Sequence, residues 1–168
     1  YRDELRKMQK LQEDYLFLVR HDIQTAAEIA AIAESMTDKK KDTSREKSRI
    51  FKERAKMKPL FDMVSELNEL EELEHCVQRG EELFTPEHER YEKISEKLRA
   101  QGYTVEQVEE FKQHYKNEIA RVRDKEKAVS KEERIAKRIL AELMKPDTGK
   151  TLEETREKEE NRKVEKSR

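Results

Sequence analysis

The residue types that most often carry protein chemistry, histidine and cysteine, are few in this chain and do not cluster. The four histidines are His21, His75, His88 and His114, and the single cysteine is Cys76. A helical metal site built on two histidines needs them four residues apart, and no pair here has that spacing. The sequence therefore predicts no metal site and no cofactor, and one cysteine leaves no internal disulfide.

Carboxylates are abundant, but their distribution is typical of solvated helix surface. Asp and Glu number 39 and Lys and Arg 38, so charged residues make up 46% of the chain. A catalytic carboxylate needs a pocket that shifts its pKa, and a chain with 33% hydrophobic residues has little apolar material to build one. We therefore predict that this chain is not an enzyme and takes no small-molecule substrate.

The elements that must position these residues are predicted to be α-helices. Only three glycines and three prolines interrupt the chain, and apolar residues recur at three- and four-residue spacings. The predicted fold class is all-α, an elongated helical bundle whose helices pair along narrow apolar stripes. No run of 18 apolar residues is present, so we expect no membrane contact and a cytoplasmic location.

The first helices are delimited by capping residues. A helix with one apolar stripe is predicted over 2–20, and a capping box at Thr25 and Glu28 starts a short alanine-rich helix that ends near Met36. The polar stretch 37–44 contains several candidate caps, so it is predicted to be a joint between two helices.

Prolines and glycines set the later boundaries. Pro59 indicates either a kink or a new first turn, because it has no amide hydrogen and disfavours helix just before it. Gly80 and Gly102 are predicted to end two helices. Thr85 precedes a proline and begins the helix between them, while Thr104 opens a second capping box.

The clearest pattern predicts a long coiled-coil-like helix over about 104–145. Apolar residues recur there every seven positions, and four of them form a candidate association seam: Val108, Tyr115, Val122 and Val129. The companion row is interrupted by Lys112, Glu126 and Glu133. A two-stranded coiled coil fills both rows, so this helix is expected to lean on other helices over part of its length.

Three regions follow from these boundaries. Residues 1–102 are predicted to form helical hairpins or a bundle, and residues 103–145 a long helix that packs partly on it. Residues 146–168 are predicted to be a charged flexible tail, because 12 of the 18 residues in 151–168 are charged. The chain opens on Tyr1 in a sequence that already has helical character, so we expect it to be part of a longer polypeptide.

Charge is segregated along the chain although the net charge is only −1. Residues 39–58 contain ten Lys or Arg and three acids, whereas residues 62–89 contain ten acids and one Arg. Four basic residues fall within an arc of about 60° on one helix, and they are the candidate DNA-contacting residues: Arg45, Arg49, Lys52 and Lys56. Such a stripe is typical of a helix that tracks phosphates, and equally of a bundle helix beside an acidic neighbour.

Three stretches carry a resemblance to a known family: LQEDYLFL at 11–18, RAKMKPLF at 54–61 and LRAQGY at 98–103. Over most of residues 1–145 the chain resembles the helical region that follows the nuclease domain in relaxases. These are the mobilisation nucleases of conjugative and mobilisable elements, mainly of Gram-positive bacteria. In such proteins a separate domain nicks DNA with a histidine–metal cluster and a tyrosine. No residue here matches that cluster, so the resemblance transfers no catalytic residue and no metal.

The resemblance implies a non-catalytic accessory helical domain that assists DNA binding or docks to the transfer machinery. DNA contact of this kind would be largely independent of sequence and sensitive to salt. The alternative is a structural or adaptor coiled coil that mediates protein–protein contact or self-association through the heptad seam.

Overall fold

The computed structural model of the protein describes residues 1–80 and 85–145, and within them it contains four α-helices and no strand. Helix α1 spans Arg2–Arg20, α2 spans Ala26–Gln78, α3 spans Thr85–Ala100 and α4 spans Val105–Leu143. The predicted all-α fold is confirmed. The predicted tail, 146–168, lies outside the described residues.

The starts of α2 and α4 and the end of α3 lie at caps that the sequence predicts. At the start of α2, the Glu28 amide donates to Thr25 Oγ1 at 3.3 Å, and the Thr25 amide donates to Glu28 Oε2 at 3.2 Å. Thr104 and Gln107 form the same reciprocal pair before α4, at 3.1 and 3.2 Å. Gly102, with φ of 80°, takes the left-handed conformation that terminates α3.

Helix α2 is one helix of 53 residues, so the joint predicted at 37–44 is wrong. The hydroxyls in this stretch do not cap a new helix. Thr37 Oγ1 lies 3.0 Å from the Ala33 carbonyl oxygen, and Thr43 Oγ1 donates to the Lys39 carbonyl at 2.7 Å. Because these hydroxyls bond back one turn within the helix, the main-chain ladder continues through the polar stretch.

Pro59 also lies inside α2 and does not begin a new helix. A proline in a helix interior costs about 3 kcal/mol relative to alanine, because it removes one main-chain hydrogen bond and crowds the preceding turn. Ile50 and Leu60, on either side, are buried in apolar clusters, and that burial offsets the cost. The basic residues 39–58 and the acidic residues 62–78 therefore follow one another along a single helix.

Contacts divide the described residues into two compact units whose boundaries fall inside α2 and α4. Unit 1 comprises residues 1–37 and 131–145, and unit 2 comprises residues 38–80 and 85–130. Helices α2 and α4 each contribute one segment to both units.

The core of unit 1 is built around Phe17 of α1, which is fully buried. It packs among apolar residues of α2 and α4: Ile29, Ala33, Ile135, Ala136 and Ile139. At the edge of this core, the Arg138 guanidinium binds Glu13 at 2.8 Å and also Asp14. Glu132 accepts from Arg20 at 2.5 Å, so α1 is held to α4 by charged contacts at two levels.

Unit 2 contains α2 from Asp38 to its end at Gln78, all of α3 and the first two thirds of α4. Its larger cluster joins the three helices: Leu60, Val64, Leu67, Ile94, Leu98 and Val108. A smaller cluster joins Ile50 of α2 to Ile119 and Val122 of α4. Low-numbered residues of α2 thus contact high-numbered residues of α4, so the two helices run antiparallel within the unit.

The two acids that interrupt the heptad pattern, Glu126 and Glu133, make polar contacts between α4 and α2. Glu126 accepts from Lys47 Nζ at 2.7 Å in unit 2. Glu133, in unit 1, is buried and lies 2.9 Å from Thr37 Oγ1 and 2.5 Å from Lys137 Nζ. Because a partly buried carboxylate is costly without its partners, these pairs favour one register of α4 on α2.

Candidate nucleic-acid interface

The four predicted DNA-contacting residues lie together on the solvent side of α2 and form what we call the basic ridge: Arg45, Arg49, Lys52 and Lys56. All four side chains are exposed, and together with Ser44, Ser48 and Glu53 they line one shallow surface. Thr43 and Ile50, on the other side of the helix, are buried. The ridge runs about 16 Å along the helix axis at 1.5 Å per residue.

The cations of the basic ridge are weakly engaged by acids. Arg45 lies 3.3 Å from Asp42 and Arg49 lies 4.0 Å from Glu53, both as exposed pairs within one turn of the helix. Exposed pairs of this kind contribute at most about 1 kcal/mol. Within residues 1–80 and 85–145, Lys52 and Lys56 make no ion pair. The ridge is therefore free to bind an external anion.

A groove between α2 and α4 extends the positive surface beyond the basic ridge. We call it the basic groove, and its cations and its aromatic residue are Phe51, Arg54, Lys112, Lys116 and Arg123. Its volume is about 520 Å³. Phe51 also borders a surface that includes Lys52, so the basic groove and the basic ridge adjoin at this side chain.

The sequence alone did not identify the basic groove. Arg54 and Lys112 stand 58 positions apart and meet only because α2 and α4 pack antiparallel in one register. The interruption of the companion row at Lys112 was a signal in the sequence, since a lysine at a seam position is better placed at a solvent-filled groove than in a core.

Other basic residues of α4 are already neutralised by α2. Glu46 accepts from Arg121 at 2.6 Å and from Lys125 at 3.0 Å. These two hydrogen bonds lower the pKa of Glu46, and the bonds to Glu118 and Glu46 raise the pKa of Arg121. Arg121 and Lys125 thus stabilise the packing of α4 on α2 and add little to the exposed positive charge.

The candidate association seam is occupied within the chain. Val108 and Val122 are 1% and 0% exposed, and they pack on α2 and α3 in the two clusters of unit 2. Tyr115 is partly buried against the smaller cluster and meets the Phe61 ring at 6.4 Å. Val129 is half-buried. Val108, Tyr115 and Val122 therefore pack against other helices of the same chain.

The histidines do not form a site. Across the described part of the chain, no three His, Cys, Asp or Glu side chains come together so as to hold a metal ion. His88 pairs with Glu74, and His21 pairs with Glu132, each across two elements. Both contacts join helices, and neither lies in the basic groove.

Comparisons with protein-family models, with curated proteins and with solved structures found no match to this chain. None of the helices in residues 1–80 and 85–145 combines the length and the apolar character needed to cross a lipid bilayer.

Proposed function

We propose that unit 2 is a DNA-binding module that holds the phosphate backbone on the basic ridge of α2. The observation that carries the proposal is a row of exposed cations on one rigid helix, of which Lys52 and Lys56 have no acidic partner in the described residues. Cations at fixed spacing bind a polyanion by releasing its condensed counterions.

The basic groove supports the same proposal. Arg54, Lys112, Lys116 and Arg123 widen the positive surface from one helix to two. Phe51 adds an aromatic face that is 36% exposed, on which an unpaired base could stack. Contacts to phosphate position DNA without reading its bases, so binding is expected to be largely independent of sequence.

We further propose that this module serves a DNA-transfer relaxase, as the resemblance of residues 1–145 implies. In that role the helices grip DNA beside the nuclease domain of such a protein, or dock to the transfer machinery.

Charge reversal of the basic ridge tests the proposal. The variant carries Arg45→Glu, Arg49→Glu, Lys52→Glu and Lys56→Glu, and its affinity for a labelled duplex and a labelled single strand is measured by fluorescence anisotropy. We expect more than about a tenfold loss of affinity at low salt and a flatter dependence on salt concentration. Wild-type affinity at low salt in this variant would refute the proposal.

A matched control separates local contact from net charge. Arg2, Arg6, Lys7 and Lys10 are exposed residues of α1, in unit 1. Their reversal to Glu changes the net charge by the same amount as reversal of the basic ridge. This control is expected to keep most of the wild-type affinity, and circular dichroism should show unchanged helix content in both variants.

A further inference from the structure

Helix α1 leaves an apolar face uncovered, and we call it the α1 stripe: Leu5, Met8, Leu11, Tyr15 and Val19. The exposed fractions of these side chains run from 42% for Leu5 to 68% for Leu11. Within residues 1–80 and 85–145, most of the large exposed apolar side chains fall on this one helix. Contiguous apolar patches of this kind mark binding surfaces.

The α1 stripe points away from unit 1. The residues that dock α1 are Glu13, Asp14, Phe17, Leu18, Arg20 and His21. At 100° per residue these occupy an arc of about 160°. The α1 stripe occupies a second arc of about 120°, and the two centres lie about 160° apart. The helix therefore has two apolar or mixed faces and uses one of them inside the chain.

We propose that the α1 stripe binds the α1 stripe of a second copy of this chain, as an antiparallel helix pair. The proposal does not depend on DNA binding, because α1 lies in unit 1 and the basic ridge in unit 2. The tail of the chain is a poor occupant, since residues 146–168 contain only Leu152 and Val164 as large apolar residues.

The charges on α1 favour an antiparallel partner. Glu4 lies within the arc of the α1 stripe, about 40° from its centre. In a parallel pair Glu4 would lie beside Glu4 of the other copy, whereas in an antiparallel pair centred on Leu11 the two Glu4 side chains lie at opposite ends of the contact. A carboxylate within the apolar arc also disfavours insertion into a lipid surface.

The apolar area of the α1 stripe sets the expected strength of dimerisation. The five side chains leave on the order of 500 Å² of apolar surface exposed on each copy. A pair would bury roughly 1,000 Å² in total, which is near the lower limit for specific interfaces. We therefore expect a reversible dimer whose population rises with protein concentration.

Sedimentation velocity of the 168-residue chain tests the proposal. Leu11→Glu places two carboxylates face to face at the centre of the pair, and we expect it to weaken dimerisation more than tenfold. Gln9→Glu adds the same charge to α1 about 100° from the centre of the α1 stripe, and it should dimerise like the wild type. A wild-type chain that stays monomeric, or a Leu11→Glu variant that dimerises normally, would overturn the proposal. So would a monomer that binds lipid vesicles through Leu11.

Disulfide trapping tests the direction of the pair. In a Cys76→Ser background, Leu11→Cys lies close to the two-fold axis of an antiparallel pair and should crosslink to itself. Leu5→Cys lies about 18 Å from its counterpart in that arrangement, too far for a disulfide, and should not crosslink. Crosslinking at both positions would indicate a parallel pair and contradict the antiparallel arrangement, and crosslinking at neither would contradict the α1 contact.

Discussion

The pair formed by His88 and Glu74 joins the end of α2 to the first turn of α3. His88 Nδ1 lies 2.5 Å from Glu74 Oε2, and Glu74 is only 7% exposed. Glu74 also accepts from Gln78 at 3.2 Å, and Glu92 lies 3.5 Å from His88 Nε2. The bond to Glu74 raises the pKa of His88, and the bond to His88 lowers the pKa of Glu74.

These two shifts define a pH window for the stability of α3. A raised histidine pKa stabilises the fold below the ordinary value of 6.5, and the contribution is lost as pH rises through the folded pKa. A lowered glutamate pKa stabilises the fold above the ordinary value of 4.5, and the contribution is lost as pH falls through the folded pKa. The pair therefore stabilises the protein most between these two values.

The variant His88→Gln tests this window by thermal unfolding. We expect its melting temperature to fall below that of the wild type at about pH 5.5 and the difference to shrink at about pH 8. Glu74→Gln should show the same trend, because it removes the same pair. An equal difference at both pH values would mean that His88 acts only through packing.

Arg138 joins α4 to α1 through two carboxylates. Its guanidinium reaches Glu13 and Asp14, and these bonds raise its pKa, with Asp14 the larger cause. Arg138→Gln should lower the free energy of unfolding by about 1–3 kcal/mol, because hydrogen bonds between charged groups are lost and two carboxylates keep no guanidinium partner. Urea unfolding measures this loss. Arg134→Gln, an exposed position on the same helix, should change the value far less.

At the scale of a helix, Pro59 is the costliest residue of α2. Pro59→Ala restores an amide donor to the preceding turn, so we expect the free energy of unfolding to rise by about 1–3 kcal/mol. Pro86→Ala is the matched control, since Pro86 lies in the first turn of α3, where a proline is tolerated. If Pro59→Ala left the free energy of unfolding unchanged, the turn before Pro59 would be distorted in a way that alanine does not repair.

Some helix boundaries could be predicted from the sequence and others could not, and the difference has a physical cause. Thr25 and Thr104 were predictable because a cap is a local hydrogen-bond pattern. The continuity of α2 through 37–44 and Pro59 was not, because it depends on tertiary burial of Ile50 and Leu60. Local capping patterns indicate where a helix can end, whereas tertiary packing determines whether it ends there.

The candidate surfaces divide in the same way. The basic ridge follows from the phase of one helix, so the spacing of four residues is enough to place them on one face. The basic groove depends on the register of α2 against α4, which no local pattern fixes. The seam residues Val108 and Val122 were correctly recognised as apolar positions that pack, but a repeat of seven does not say whether the partner is another segment of the same chain.

For the whole molecule, DNA binding should be strongly salt-dependent although the net charge is only −1. If the basic ridge neutralises about four phosphates, log K should fall with a slope of about −3.6 against log salt concentration. Affinity for duplex DNA should then drop by roughly 150-fold between about 50 and 200 mM salt. A titration that is flat over this range would contradict phosphate contact.

The unbroken course of α2 has a consequence for how DNA would be held. Residues 39–58 carry seven positive charges in excess, and residues 62–78 carry six carboxylates with no Lys or Arg, all on one helix. Near a polyanion, such a helix experiences a torque, because the basic residues 39–58 are attracted to the phosphates while the acidic residues 62–78 are repelled. Helix α2 would therefore bind with its basic part against the DNA and its acidic end directed away from it. Helix α3 and the end of α2 would be held off the duplex.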